Sequence, residues 1–236
     1  IPPDRPILSC TKGIEHGTGL RMSEVLALHL PSNPIAVLSG PSHAEEVARG
    51  APTAVVIGSS DDVLARTAQD LFATPAFRAY RSGDVAGIEL GGALKNIYAI
   101  AAGICDGLGL GDNTKAALVT RSLAEMIRLG VALGGRPETF QGLSGIGDLM
   151  VTCFSRHSRN RGVGERLGRG DDPHAILGSM QMVAEGVPTA TSAAECARRL
   201  GIDTPVLDQV CAILDGRQAP ARALRDLMTR DLKAEG

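Results

Sequence analysis

A lysine stands in the middle of a long, small and apolar stretch running from Gly87 to Cys105, directly before an asparagine and just after a glycine pair (Gly91-Gly92-Ala93-Leu94-Lys95-Asn96-Ile97-Tyr98). The stretch reads as a helix. Gly91 and Gly92 lie on its surface one turn before Lys95 and leave room for a second backbone or a ligand. Burying an ammonium costs several kcal/mol, on the order of the penalty for any buried ion, unless the charge is paired or used. Burial also lowers a lysine's pKa and turns it into a proton acceptor near neutral pH. The ordinary alternative is a lysine whose stem lies along a half-exposed helix and whose head reaches water.

Composition narrows the setting. The chain has 236 residues, 44% hydrophobic and 21% charged, as suits one or two globular domains. Aromatics make up 3% and tryptophan is absent, so the core must come from Ala, Leu, Val and Ile, which favours close helix packing. A net charge of -2 argues against a nucleic-acid surface. No run of about 18 consecutive apolar residues is seen, so no membrane span is expected. The five cysteines (Cys10, Cys105, Cys153, Cys196, Cys211) are widely spaced, with no metal-type pairing and no disulfide framework. A reduced, cytoplasmic compartment and no metal are expected.

Along the chain the first third alternates. Strands are expected at Ile7–Thr11, Ile35–Leu38, Thr53–Gly58 and, as an edge, Phe77–Tyr80. Helices are expected at Met22–Leu30, at His43–Arg49 with Gly50 as its stop, and from a Ser60 cap to about Leu71. After residue 86 only helices are read, beginning with the lysine helix and Asn113–Leu133. Shorter ones follow near 145–152, 158–168 and 173–180, then Pro188–Leu200, Thr204–Leu214 and Ala219–Ala234. The expected class is α/β plus all-α: the second half of an α/β sheet over residues 1–86, and a helical domain over 87–236.

Three further segments carry chemistry. Gly145-Ile146-Gly147-Asp148 reads as a tight turn with Asp148 near a helix start; it is either an N-cap or a carboxylate for Lys95 or a substrate hydroxyl. Ser158-Arg159-Asn160-Arg161 at a helix start offers backbone N–H groups, a favourable dipole and a guanidinium fork to an anion, or else is a solvated basic turn. Lys12 and the Ser39-Gly40-Pro41-Ser42 turn end the first two strands, where open α/β sheets bind ligands. His157 reads as a surface neighbour.

In order and spacing, these segments resemble the bacterial type of NAD(P)-dependent glycerol-3-phosphate dehydrogenase. The resemblance is carried by Thr11-Lys12-Gly13-Ile14-Glu15, Leu38-Ser39-Gly40-Pro41-Ser42, Gly91 to Asn96, Gly109-Leu110-Gly111-Asp112-Asn113, Gly145 to Leu149, Ser158-Arg159-Asn160 and Val183-Ala184-Glu185-Gly186-Val187. It implies a Rossmann-type domain joined to a helical domain like the C-terminal one of 6-phosphogluconate dehydrogenase. It also implies a cytoplasmic homodimer that interconverts dihydroxyacetone phosphate and sn-glycerol 3-phosphate with NAD or NADP, for phospholipid synthesis. By position, Lys95 matches the catalytic base, and Lys12, Gly40, Ser42, Lys95, Asp148, Ser158, Arg159 and Asn160 match substrate contacts. Lys12, Ala44, Arg159, Val183 and Glu185 match cofactor contacts. Ser42 replaces a frequent threonine and keeps the hydroxyl.

One feature departs from the family pattern: no G-x-G-x-x-G/A run for the cofactor pyrophosphate occurs in the sequence. The expectation is that this chain, which opens just before a strand, is a fragment that binds NAD(P)H weakly and turns over slowly or not at all. Two rivals stand beside the resemblance. One is another two-domain hydroxyacid or 6-phosphogluconate-type dehydrogenase. The other is a helical oligomerisation module, in which Lys95, Asp148 and Arg159 would only pair between helices.

Overall fold

The computed structural model describes residues 1–180, 183–232 and 234. The first third forms a four-stranded sheet in the order β1 (Ile7–Ser9), β2 (Ile35–Ser39), β3 (Thr53–Gly58), β4 (Phe77–Ser82). The sheet is mixed: β1 and β2 are parallel, β2 and β3 antiparallel, β3 and β4 parallel. The connections account for this. α1 (Met22–His29) and α3 (Asp62–Phe72) are long enough to return the chain along a strand, whereas α2 (Ala44–Val47) is a single turn of about 6 Å. β3 therefore enters from the end where β2 left.

Several boundaries differ from expectation. β1 ends at Ser9 rather than Thr11, because the chain leaves the sheet to deliver Lys12. α2 is shorter than His43–Arg49, although Gly50 does stop the segment with a positive φ of 74°. α3 is capped by Asp61, not Ser60: its carboxylate accepts from Val63 and Leu64 N–H groups. β4 runs on to Ser82, paired with β3 throughout, at the edge of the sheet.

α4 (Val85–Gly107) then starts the helical part, and every residue from Gly87 to Cys105 is buried. Asp84 caps it, accepting from Gly87 N–H, and its other oxygen accepts from Arg136 N–H and Thr139 Oγ1. Among the described residues, α4 is long and apolar enough to cross a membrane, against the expectation of no such run; its apolar window is enclosed by protein. Around it lie α5 (Gly111–Ala132), α6 (Pro137–Phe140), a π-helical turn (Leu143–Gly147) running into α7 (Asp148–Phe154), α8 (Arg159–Gly168) and α9 (Pro173–Gly178). α10 (Gly186–Leu200), α11 (Pro205–Leu214) and α12 (Pro220–Met228) complete the shell, α12 ending short of the expected Ala234. Residue 233 of that expectation lies outside the described residues.

The low aromatic content translates into close helix contact. A Cβ on Gly164 of α8 would strike the Ile100 carbonyl, and one on Gly103 of α4 would strike the Arg161 carbonyl. Ile97, Tyr98, Ile100, Met126, Leu129, Phe140 and Leu149 fill the main core. A smaller cluster, including Val55, Ile57 and Leu64, sits under the sheet. Buried Glu125 on α5 accepts from the Val206 and Leu207 N–H groups at the start of α11 and from Tyr98 Oη.

Candidate active site

The site forms where the ends of β1 and β2 meet α4 and α7. Lys95 is buried, 5% exposed. Its Nζ donates to Asp148 Oδ1 and to Thr152 Oγ1, both at 2.6 Å. Asp148 opens α7 and is 1% exposed. Its second oxygen accepts from Lys12 Nζ at 2.6 Å, and Lys12 Nζ also donates to the Gly40 carbonyl at 3.3 Å. One carboxylate thus holds two ammonium groups. The Lys12 side chain retains 19% of its exposure, so this end of the triad faces the open.

The glycine pair has the role its position suggested. A Cβ on Gly92 would lie 2.5 Å from Ser39 Oγ and against the Lys12 stem; one on Gly91 would lie 2.5 Å from the Ser144 carbonyl of the π-helical turn. The expected tight turn before Asp148 is that π-helical turn, whose wider coil lets backbone pack onto α4. Gly40 has φ 141° and its Cα faces the Val55 backbone at a place where a Cβ would come within 3.0 Å, so only glycine fits. Ser42 Oγ donates back to the Gly40 carbonyl at 3.1 Å.

Electrostatics make Lys95 unusual. Burial pushes its pKa down from 10.5 to about 8; Asp148 pulls it up, and the charge of Lys12 pushes it down again. An ammonium has three donors. Among the described residues Lys95 spends two of them, on Asp148 and Thr152, leaving one for a ligand oxygen.

A second group of residues lies beside the first. Asn160 Nδ2 donates to Asn96 Oδ1 at 2.9 Å, Asn96 Nδ2 donates to Glu185 Oε2 at 3.3 Å, and Gly186 N–H donates to Asn160 Oδ1 at 2.8 Å. Arg159 Nη1 donates to the Val183 carbonyl at 3.0 Å. Ser158 caps α8, its Oγ accepting from Arg161 N–H. Ala44 begins α2, whose neighbour Glu45 lies within electrostatic reach of His157 and Arg159. The rings of His43 and His157 are 6.2 Å apart. α2 therefore faces the start of α8 across the site.

The structure thus brings Lys12, Gly40, Lys95 and Asp148 together, and ties Asn160 and Glu185 to Asn96, the residue after Lys95 on α4, while Arg159 is tied separately to Val183. Sequence reasoning missed Thr152, although it sits four residues after Asp148, one helical turn on and on the same face. It also left Asn96 outside the site proper, where it is the junction between Asn160 and Glu185. Two buried polar atoms near the end of β2, Ser39 Oγ and His43 Nε2, have no protein partner among the described residues, and both border this region. Polar groups of this kind suit a ligand.

Comparison with known proteins agrees with this arrangement. Family models for the N-terminus and the C-terminus of NAD-dependent glycerol-3-phosphate dehydrogenase match residues 1–65 and 84–225. The chain is 53% identical to the glycerol-3-phosphate dehydrogenase [NAD(P)+] of Syntrophotalea carbinolica over all of this chain and 72% of that protein. It is 52% identical to that of Geobacter sulfurreducens, over all of this chain and 71% of the relative. The crystal structure of the Coxiella burnetii glycerol-3-phosphate dehydrogenase superposes with a TM-score of 0.91 at 41% identity, over 95% of this chain and 69% of that one. The motifs, the mixed sheet with its helical partner and these relatives converge: this chain belongs to the NAD-dependent glycerol-3-phosphate dehydrogenase family.

Proposed function

We propose that this chain carries the catalytic centre of a reversible dehydrogenase that interconverts dihydroxyacetone phosphate and sn-glycerol 3-phosphate with NAD(P)H. The observation that carries the reading is Lys95: a buried ammonium with two donors spent, a third free, and a pKa brought down to about 8. Such a group can give a proton to a carbonyl oxygen in one direction and take it from a hydroxyl in the other near physiological pH. Asp148 fixes Lys95 in place, and Thr152, which donates onward to the Asp148 carbonyl at 2.6 Å, fixes it from a second side.

The nicotinamide cofactor supplies the hydride for the substrate's C2. Its nicotinamide end would be held by the amide of Asn96, the carboxylate of Glu185, Arg159 and the exposed Val183, with Ala44 at the start of α2. Arg159 and Asn160, with Ser158 beside them, would receive the substrate phosphate at the start of α8, where backbone N–H groups and the helix dipole favour an anion. Lys12, with Gly40 and Ser42, borders the substrate from the sheet side. A cytoplasmic homodimer supplying glycerol 3-phosphate to phospholipid synthesis completes the reading.

The test is reduced-nicotinamide oxidation with dihydroxyacetone phosphate, run with NADH and NADPH on this chain and on the chain joined to the N-terminal segment of the Syntrophotalea relative. Turnover of dihydroxyacetone phosphate, weak in the chain alone and strong in the joined form, is expected. Turnover of a phosphorylated sugar acid with none of dihydroxyacetone phosphate would overturn the substrate.

A further inference from the structure

Lys12 must be delivered to Asp148 from a segment without regular structure. β1 ends at Ser9, and only an isolated bridge between Ile14 and Arg21 interrupts the loop before α1. That bridge closes a small lobe, with Glu15 N–H donating to the Leu20 carbonyl at 2.9 Å. Beyond the lobe, Arg21 and Ser23 converge on one carboxylate of α4. Glu89 Oε1 accepts from Ser23 N–H at 2.8 Å, and its Oε2 accepts from Ser23 Oγ at 2.5 Å and Arg21 Nη1 at 2.8 Å. The Glu89 side chain is 4% exposed. It lies six residues before Lys95 on the same helix, about 9 Å along the axis. Between them sits Gly92, on which the Lys12 stem rests.

Resting on the reading of Lys95 as the proton carrier, we propose that Glu89, with Arg21 and Ser23, is a positioning group that fixes the lobe beside Lys12 so that its ammonium meets Asp148. α4 then sets the two lysines in register, one directly and one through a buried ion pair. Glu89 touches no substrate. It acts through Lys12, which separates this role from a simple cap on α1.

The experiment is a double-mutant cycle of Glu89→Gln and Lys12→Ala with two readouts: the NMR titration of the Lys95 ε-methylene, assigned with Lys95→Met, and kcat/KM for dihydroxyacetone phosphate. Removing the charge of Lys12 takes away one influence that lowers the Lys95 pKa, so its titration moves up from about 8 in Lys12→Ala. Glu89→Gln should move it the same way and lower kcat/KM about tenfold, and neither effect should grow when Lys12 is already alanine. A Lys95 titration unmoved by Glu89→Gln, or losses that multiply in the double variant, would overturn the proposal. If Glu89→Gln does not fold, Arg21→Ala takes its place in the cycle, with Arg21→Lys expected to restore part of both readouts. Absence of dihydroxyacetone phosphate turnover in the chain joined to the N-terminal segment of the Syntrophotalea relative, in which the kinetic arm is run, would sink the function, while the NMR cycle still decides the positioning.

Discussion

Two buried titratable centres border α4, and both are pushed toward neutrality by burial. Around Lys95, burial takes an ammonium down to about 8. One turn along, beside Tyr98, burial takes the Glu125 carboxyl up to about 7. The shifts are of similar kind, but the surroundings are not. Glu125 is met by two backbone N–H groups and a phenol, partners that belong to the fold. Lys95 is met by a carboxylate shared with a second, partly exposed lysine, and keeps a donor in reserve. A perturbed pKa therefore marks a site only where the partners leave capacity for a ligand.

The largest effect that separates the two centres is expected from Asp148→Asn. It leaves two ammonium groups facing each other around a neutral amide, and breaking a buried pair of this kind costs about 3–5 kcal/mol, read as a fall in thermal stability. Next comes Lys95→Met. Turnover should fall at least about a hundredfold, the typical worth of a general acid–base residue, with the circular dichroism of the fold retained. If Lys95 served only packing between helices, this variant would keep its activity. Thr152→Val removes one hydroxyl that accepts from Lys95, and should lower kcat about tenfold with little change in KM.

Stability against pH distinguishes the centres more gently, and in opposite senses. The folded pKa of Glu125 is raised from 4.5 to about 7, so its contribution is complete below 4.5 and is lost as pH rises through about 7. Glu125→Gln should abolish that decline, a change of up to about 3 kcal/mol in chemical denaturation across the window. The folded pKa of Lys95 is lowered from 10.5 to about 8, so its contribution is present above 10.5 and is lost as pH falls through about 8. Lys95→Met should remove the rise in stability between these values. Two variants with the same slope would erase the distinction between the centres.

Much of this was legible in the residues. The lysine helix, the position of Asp148 at a helix start and the Ser158 cap all follow from local rules: small residues at close crossings, a carboxylate at an N-terminus, a hydroxyl at an N-cap. The reversal between β2 and β3 was not legible, because it depends on α2 being one turn rather than two, a length the Ala44–Arg49 segment does not announce. Nor did the π-helical turn at Leu143–Gly147 show itself, since it is imposed by backbone packing against Gly91. Thr152 and the Arg21–Glu89 pair escaped for a different reason. Glu89 meets Arg21 across 68 residues and Thr152 meets Lys95 across 57, and pattern within a window does not reach such distances.

The most direct test of the account is the pH profile of kcat for sn-glycerol 3-phosphate oxidation, measured for the parent and for Asp148→Asn. A limb that rises through about 8 as Lys95 loses its proton is expected. In Asp148→Asn that limb moves to lower pH, because the carboxylate that favours the ammonium is gone. A limb that stays in place in the variant, or a flat profile in the parent, would contradict Lys95 as the group that carries the proton.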